Sequence, residues 1–315
     1  MNLANLADHL RAHPGLTAKL DLAAVASTIG GDGDDAAFVA LSDSLGLALC
    51  AEAVLPSFAG RDPRVAGIAG VVTVLNDLAA TGSRPMALLN TVVAPSREQA
   101  TAALEGLKAG ADLYNVPILG GHTTVAPGEV VVSTFALGFA ERPLKATNAK
   151  PGDQVVFVTC LDGEMIDSPD GSSFFSHLRG PRRYLAPNDL ALLATAAEAG
   201  EVWAARDISM PGLVGSLLQF LEAAGGLGAR LDLSLIPAPE GVPFERWLAT
   251  FSSYGFLLVG DPAAICARFT AADLTAVPVA TLDNTGRLEL VLNSEAVTFW
   301  DLSATPLTGL SPAPN

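Results

Sequence analysis

The stretch RDPRVAGIAGVVTVLNDLAATG, residues 61–82, reads as one long helix that is apolar on most of its circumference. Asp62 stands where an N-cap belongs, Pro63 in the first turn and Gly82 just past the end, the asymmetry that starts and stops a helix. Such a helix must be covered on more than one side, by a protein interior or by lipid. Its apolar run, VAGIAGVVTVL, is ended by Asn76 and Asp77, well short of the roughly 20 residues that a bilayer span needs. A protein interior is what remains.

The flanking segments supply that interior. AAFVALS and LGLALCAEAV read as strands around the turn DSLG, and MALLNTVVA reads as a third strand. SREQATAALEGLKAGADLYN is a second helix with Ser96 as its cap, and VPILGGHTT and GEVVVSTFALGFA are strands around APGE. The order is β-β-α-β-α-β-β, an α+β domain. Before it, NLANLADHLRA is a short amphipathic helix stopped by HPG, and LTAKLDLAAVAST has helical spacing. Residues 141–153, ERPLKATNAKPGD, are polar and proline-bearing and form the best linker. QVVFVTC opens a second domain, which continues with the helix NDLALLATAAEAG, the strand VWAARDIS, the helix PGLVGSLLQFLEAAGG, the strands ARLDLSLIP and YGFLLVG, the helix DPAAICARF and the hairpin VPVATLDNTGRLELVL. The domains are expected at 1–145 and 146–302, with 303–315 as a loose tail.

A chain of 315 residues is long enough for about two domains and needs no disulfides. Its three cysteines, Cys50, Cys160 and Cys266, show no metal spacing, and a reducing cytoplasm is the simplest context. A formal charge of −15 argues against nucleic acid and anionic membrane as partners. It leaves room for a nucleotide held through a metal, since the cation inverts the local charge.

GGDGDDAAF, residues 30–38, sets three aspartates among three glycines. Gly31, Gly33 and Ala36 spell a dinucleotide loop, but the context is reversed: a helix precedes and a strand follows. Asp32, Asp34 and Asp35 would repel a bare phosphate, and an EF-hand fails because Ala37 stands where its glycine belongs. A divalent cation, joined by phosphates, or a solvated polar turn remain. Asp77 lies near the carboxyl end of the apolar helix, where burial and the helix dipole both disfavour its charge. A cation offsets both effects; exposure to solvent, or pairing with Arg84, is the other reading. Glu52 stands at the end of its strand, a place where a lone Glu is usually solvated. Asp207 ends VWAARD just before a turn that opens a helix, where α/β ligand sites form; an N-cap role is equally open. In GGHTT, residues 120–124, Gly120 and Gly121 permit close backbone approach, and His122 could as easily be a turn residue.

In order, these segments resemble the superfamily of aminoimidazole ribonucleotide (AIR) synthetase, thiamin-monophosphate kinase and selenophosphate synthetase, and above all its AIR synthase-related members. GDGDDAAFV resembles the GDDAA metal motif, LNDLAATGSRP resembles VNDILxxGAxP and LSDLAAMGAxP, and ILGGHTTVAPG resembles the GGHT and GGETAEMPG variants. AKPGD resembles the PGD that opens the second domain, and RDISMPGL the kinase's DISDGL, with Met210 in place of its second Asp.

The resemblance implies a two-domain AIR-synthetase-like α+β fold, with an N-terminal domain that forms a β-barrel across a homodimer and a C-terminal α/β sandwich. It implies ATP and Mg2+ as cofactors, with Asp34, Asp35, Glu52, Asp77 and Asp207 on metal and Asn76, Gly120, Gly121, His122 and Thr123 on the nucleotide. The function it implies is ATP-dependent phosphoryl transfer, as a kinase or synthetase, to a small-molecule substrate. Glu52 and Met210 in place of aspartates leave a second expectation, a catalytically inactive nucleotide-binding or scaffold paralogue.

Overall fold

The structure is a computed structural model that describes residues 2–29, 33–42, 45–167 and 173–310. The expectations for residues 30–32 of the aspartate motif, 43–44 of the DSLG turn and 311–315 of the tail lie outside the described residues. In chain order the elements are α1 (Leu3–Arg11), α2 (Pro14–Ile29), β1 (Ala37–Ser42), β2 (Leu45–Val54), α3 (Pro56–Arg61), α4 (Pro63–Ala80), β3 (Arg84–Ala94), α5 (Arg97–Tyr114), β4 (Ile118–Val125) and β5 (Val131–Ala140). They continue with β6 (Gln154–Thr159), β7 (Glu164–Asp167), β8 (Ser173–Ser176), α6 (Ala186–Glu198), β9 (Val202–Asp207), α7 (Gly212–Ala223), β10 (Gly228–Asp232) and α8 (Phe244–Leu248). The last are β11 (Phe251–Ser252), β12 (Gly255–Gly260), α9 (Pro262–Thr270), β13 (Thr275–Asp283), β14 (Arg287–Leu292) and β15 (Glu295–Asp301).

Two compact units result, one of residues 35–143 with 184–195, the other of 1–34, 144–183 and 196–315. They differ from a single cut at 145/146. Helix α1 joins the later unit because Leu3, Leu6 and Leu10 enter its core, while Arg11 donates to the carbonyls of Thr298 and Phe299 at 2.7 and 2.9 Å. In the described part of the tail Leu307 is fully buried, and the backbone N–H groups of Leu307, Thr308 and Gly309 all donate to the Glu222 carboxylate.

In the first unit the strand order is β1-β2-β5-β3-β4. One chain therefore supplies an open sheet with β1 and β4 at its edges, not a closed barrel. The strands around APGE are not neighbours: β5 inserts between β2 and β3, and β4 runs parallel to β3. The apolar helix α4 forms as its caps require, with the Asp62 side chain accepting from Val65 N–H at 3.0 Å and Gly82 at φ 71°. It packs on β2 and β5 and against α5. Close approach to α5 needs glycine, since a Cβ on Gly106 would lie 1.9 Å from the Arg64 carbonyl oxygen.

In the second unit seven strands run β15-β14-β10-β13-β6-β12-β9, and three short ones form β11-β8-β7. The hairpin expected around DNTG is not formed, because β10 pairs with β13 on one side and β14 on the other. All six residues of β12 are buried, and α7 is buried along its whole length.

Candidate metal and nucleotide site

Asp77 is 8% exposed and lies in the last turn of α4. Asp35, half-buried, stands two residues before β1, and one of its carboxylate oxygens comes within 4.8 Å of one from Asp77. Two negative charges at that spacing repel by about 3 kcal/mol at an effective dielectric of roughly 20. The carboxyl end of α4 adds to the cost of keeping Asp77 charged. A divalent cation reverses the sign of both terms.

Glu52 joins the same field. Alternation along β2 turns Ala48, Cys50, Glu52 and Val54 toward α4, and the Cys50 thiol donates to the Val74 carbonyl at 3.2 Å. Burial pushes that thiol far up from its ordinary value, and the charges of Asp77, Glu52 and Asp35 push it in the same direction. The same three carboxylates thus bear on one half-buried thiol beneath the helix. Hard oxygen ligands of this kind suit Mg2+, which takes a few carboxylates and completes its shell with phosphate oxygens and water.

Asp34 and Asp207 belong to the second unit. Asp34 accepts the backbone N–H of Ala146 at 2.9 Å, which ties the start of the motif to a short 3-10 turn at Ala146–Asn148. In the second unit Asp207 ends β9, paired with Phe256 of β12, and is 2% exposed. The turn that follows is closed by Ser216, whose hydroxyl accepts from Ser209 N–H at 3.0 Å. Met210 lies in that turn with its carbonyl against Gly15, where a Cβ would sit at 2.1 Å.

Gly120, Gly121, His122 and Thr123 lie within β4 itself, exposed on an edge strand rather than in a loop after it. The register splits them. Glu52, Thr134, Asn90 and Gly121 are successive partners in one row across the sheet, whereas His122 belongs to the next row, with Thr91, Ser133 and Ala53. Asn76, beside Asp77 on α4, is buried. Asn90 escaped the sequence reading although its signal was there: an amide at a core-facing position of an apolar strand. It is 7% exposed, donates to the Gly120 carbonyl at 3.3 Å, and requires glycine at position 121, where a Cβ would meet its backbone oxygen at 2.5 Å.

Residues 33–140 match the N-terminal domain of AIR synthase related protein, and residues 175–293 match its C-terminal domain. An uncharacterised protein of Synechocystis is 35% identical over 283 residues, which is 89% of this chain and 86% of that protein. Phosphoribosylformylglycinamidine synthase subunit PurL of Synechococcus is 31% identical over 69% of this chain, but only 32% of PurL is covered. Among solved structures, PurL of T. maritima complexed with ATP superimposes with a TM-score of 0.71 at 18% identity, covering 89% of this chain and 47% of PurL. A ThiL complexed with AMPPCP and TMP gives 0.65 at 19% identity, covering 94% of this chain and 96% of ThiL. Those likenesses support the fold, and the sequence matches fix the membership: this chain belongs to the AIR synthase-related family.

Proposed function

We propose that this protein is an ATP- and Mg2+-dependent phosphoryl-transfer enzyme, a kinase or ATP-dependent synthetase, acting on a small molecule. The observation that carries the reading is the carboxylate pair Asp35 and Asp77, held within 4.8 Å with Asp77 buried at the unfavourable end of an apolar helix. Glu52 and these two are the proposed cation ligands of the first unit. Asp34 and Asp207 are retained as ligands on the sequence motifs alone, and Asn76, Gly120, Gly121, His122 and Thr123 as nucleotide contacts on the same ground. A bound divalent cation would neutralise phosphate charge, which is most of what phosphoryl transfer asks of a protein. The chain's own part is to hold the carboxylates close together beneath α4, and to offer the backbone of Gly120 and Gly121 without side chains in the way.

The open sheet of the first unit supports a homodimer. Its outward face exposes Val39, Leu49, Leu89 and Phe135, at 50, 44, 49 and 40%. A contiguous apolar face of this kind marks an interaction surface. The chain spans about half of the T. maritima PurL structure it matches, and we assign a second copy of this chain to that face.

The test is calorimetry and melting with ATP. Binding is expected with Mg2+ or Mn2+ and lost in EDTA; equal affinity in EDTA overturns the reading. Asp77→Asn is expected to abolish Mg2+–ATP binding while leaving the apo protein as stable as before or more so, because a charge is removed from the wrong end of a helix. A lower apo melting temperature with ATP stabilisation retained would make Asp77 structural. ADP release against a metabolite library, with and without Mg2+, then identifies the acceptor.

A further inference from the structure

Glu222 is a buried carboxylate that the cation site does not use. It lies on α7 and is 6% exposed. Its two oxygens accept the backbone N–H of Leu307 at 2.8 Å, of Thr308 at 2.9 Å and of Gly309 at 3.2 Å, and the Thr308 hydroxyl at 2.6 Å. Charge-assisted bonds of this number fix a segment far more firmly than its own sequence, TPLTGL, would. The Thr308 hydroxyl in turn accepts from Leu310 N–H at 3.1 Å, so the anchor extends to Leu310.

Leu310 is where the strap meets the aspartate motif. Gly33 has φ +70°, and a Cβ there would lie 2.7 Å from the Leu310 carbonyl oxygen and 3.2 Å from its Cβ. From its other sides the same turn is held by Arg206, which donates to the Gly33 carbonyl at 2.9 Å, and by Ala146 N–H on the Asp34 carboxylate at 2.9 Å. Arg206 is itself 6% exposed. The next residue in the chain is Asp35.

We propose that residues 305–310 are a strap that sets the Gly33–Asp34 turn, and that Glu222 is a positioning residue for the cation carboxylate Asp35. The inference rests on the reading of Asp35 as a cation ligand. The mechanism is geometric. Mg2+ and Mn2+ demand near-octahedral placement of a few oxygens, and residues that orient a ligand from behind are worth about 10- to 100-fold in metal affinity. Glu222→Gln keeps the side-chain shape and one acceptor oxygen but removes the charge and puts an amide NH2 where the second oxygen takes the Thr308 N–H and hydroxyl. The strap then loosens, its Leu310 contact with Gly33 weakens, and so does one of the three supports of the turn that precedes Asp35.

The experiment uses the full chain and two readouts. Amide hydrogen exchange over residues 33–42 is measured without metal, and Mn2+ affinity is measured by electron paramagnetic resonance. Leu288→Ala, a fully buried core residue of β14, serves as a destabilised control. Glu222→Gln is expected to speed exchange across the turn and to weaken Mn2+ about tenfold or more. Leu288→Ala is expected to lower the melting temperature and change neither. Thr308→Val, which removes one hydroxyl, gives a smaller effect in the same direction and covers the case in which Glu222→Gln does not fold. Unchanged exchange over 33–42 in Glu222→Gln or Thr308→Val overturns the strap, as does Mn2+ affinity equal to that of the control. Asp35→Asn separates the two ideas: if it binds Mn2+ like the parent while Glu222→Gln still loosens the turn, the ligand assignment has failed and the strap has not.

Discussion

The two sheets of this protein solve the same problem differently. The seven-stranded sheet buries its interior strand β12 completely and is backed by α7, which is buried along its length. The five-stranded sheet covers one face with α4 and α5 and leaves Val39, Leu49, Leu89 and Phe135 of the other in solvent. One core is finished by its own chain; the other holds a buried carboxylate on its helix side and an apolar surface on its outer side. The unit that carries the Asp35 and Asp77 carboxylates is thus also the one whose sheet leaves an apolar face exposed, the face to which a second copy is assigned above.

The sharpest way to break this comparison is one substitution in each sheet, a charge on the outward face of one and a truncation in the buried strand of the other. Phe135→Glu places a carboxylate on the outward face and is expected to convert the proposed dimer to monomers, read by light scattering at micromolar concentration, with the melting temperature of the monomer little changed. Leu257→Ala, in the fully buried β12, is expected to leave the mass unchanged and to lower stability by about 2–5 kcal/mol. A monomeric parent protein, or Phe135→Glu with unaltered mass, would show that the outward face is not the seat of a second copy.

What the sequence made legible follows from which forces are local. Helix α4 was readable because Asp62, Pro63 and Gly82 are local signals, and the order of the longer strands and helices of residues 35–143 was readable from periodicity, whereas the six-residue α3 (Pro56–Arg61) is too short to show one. Strand neighbours were not. DNTG has every mark of a hairpin turn, yet β10 competes from more than 40 residues away and wins both partners. The same holds for β4 and β5, separated by β3. Strands β7, β8 and β11 are two to four residues long, too short for a period to show. In the site, Asp77 announced itself because a charge interrupts an apolar run, whereas Glu52 needed the register to reveal that it faces α4. Residues 305–310 look loose because their binding partner, Glu222, lies more than 80 residues upstream.

Acid offers a second way to separate the units. His177, in the second unit, is 1% exposed, and its Nδ1 lies 2.7 Å from the Ser253 hydroxyl. Burial, then the Arg182 charge, brings its pKa down to about 4 from the ordinary 6.5. The folded state therefore binds this proton less readily than the unfolded state. The stabilisation is fully present above pH 6.5 and is lost as pH falls through 6.5 toward 4, by on the order of 3 kcal/mol. Denaturant melts at pH 7 and pH 4.5 are expected to show the loss, and His177→Asn is expected to remove most of it. Equal pH sensitivity in that variant would place the acid-labile group elsewhere.

The smallest expected effect compares two glycines that close a strand against backbone. A Cβ on Gly260, at the end of β12, would lie 2.0 Å from the Glu201 carbonyl oxygen; one on Gly121 would lie 2.5 Å from that of Asn90. Both clashes are with main chain, which moves only if the strand moves. β12 is held between β6 and β9, so it cannot yield without disturbing two ladders. Among the described residues β4 is an edge strand paired with β3 alone, and it can swing outward at the cost of part of one ladder. Overpacking costs about 1–3 kcal/mol, and Gly260→Ala is expected at the upper end of that range and Gly121→Ala at the lower. The edge strand's displacement carries a second signature: it shifts the backbone of Gly120 and Gly121, so Gly121→Ala is expected to weaken Mg2+–ATP binding although its stability loss is the smaller. Gly260→Ala is expected to do the opposite. If Gly121→Ala costs as much stability as Gly260→Ala and leaves ATP affinity untouched, β4 is as firmly held as the central strands and its glycines serve packing alone.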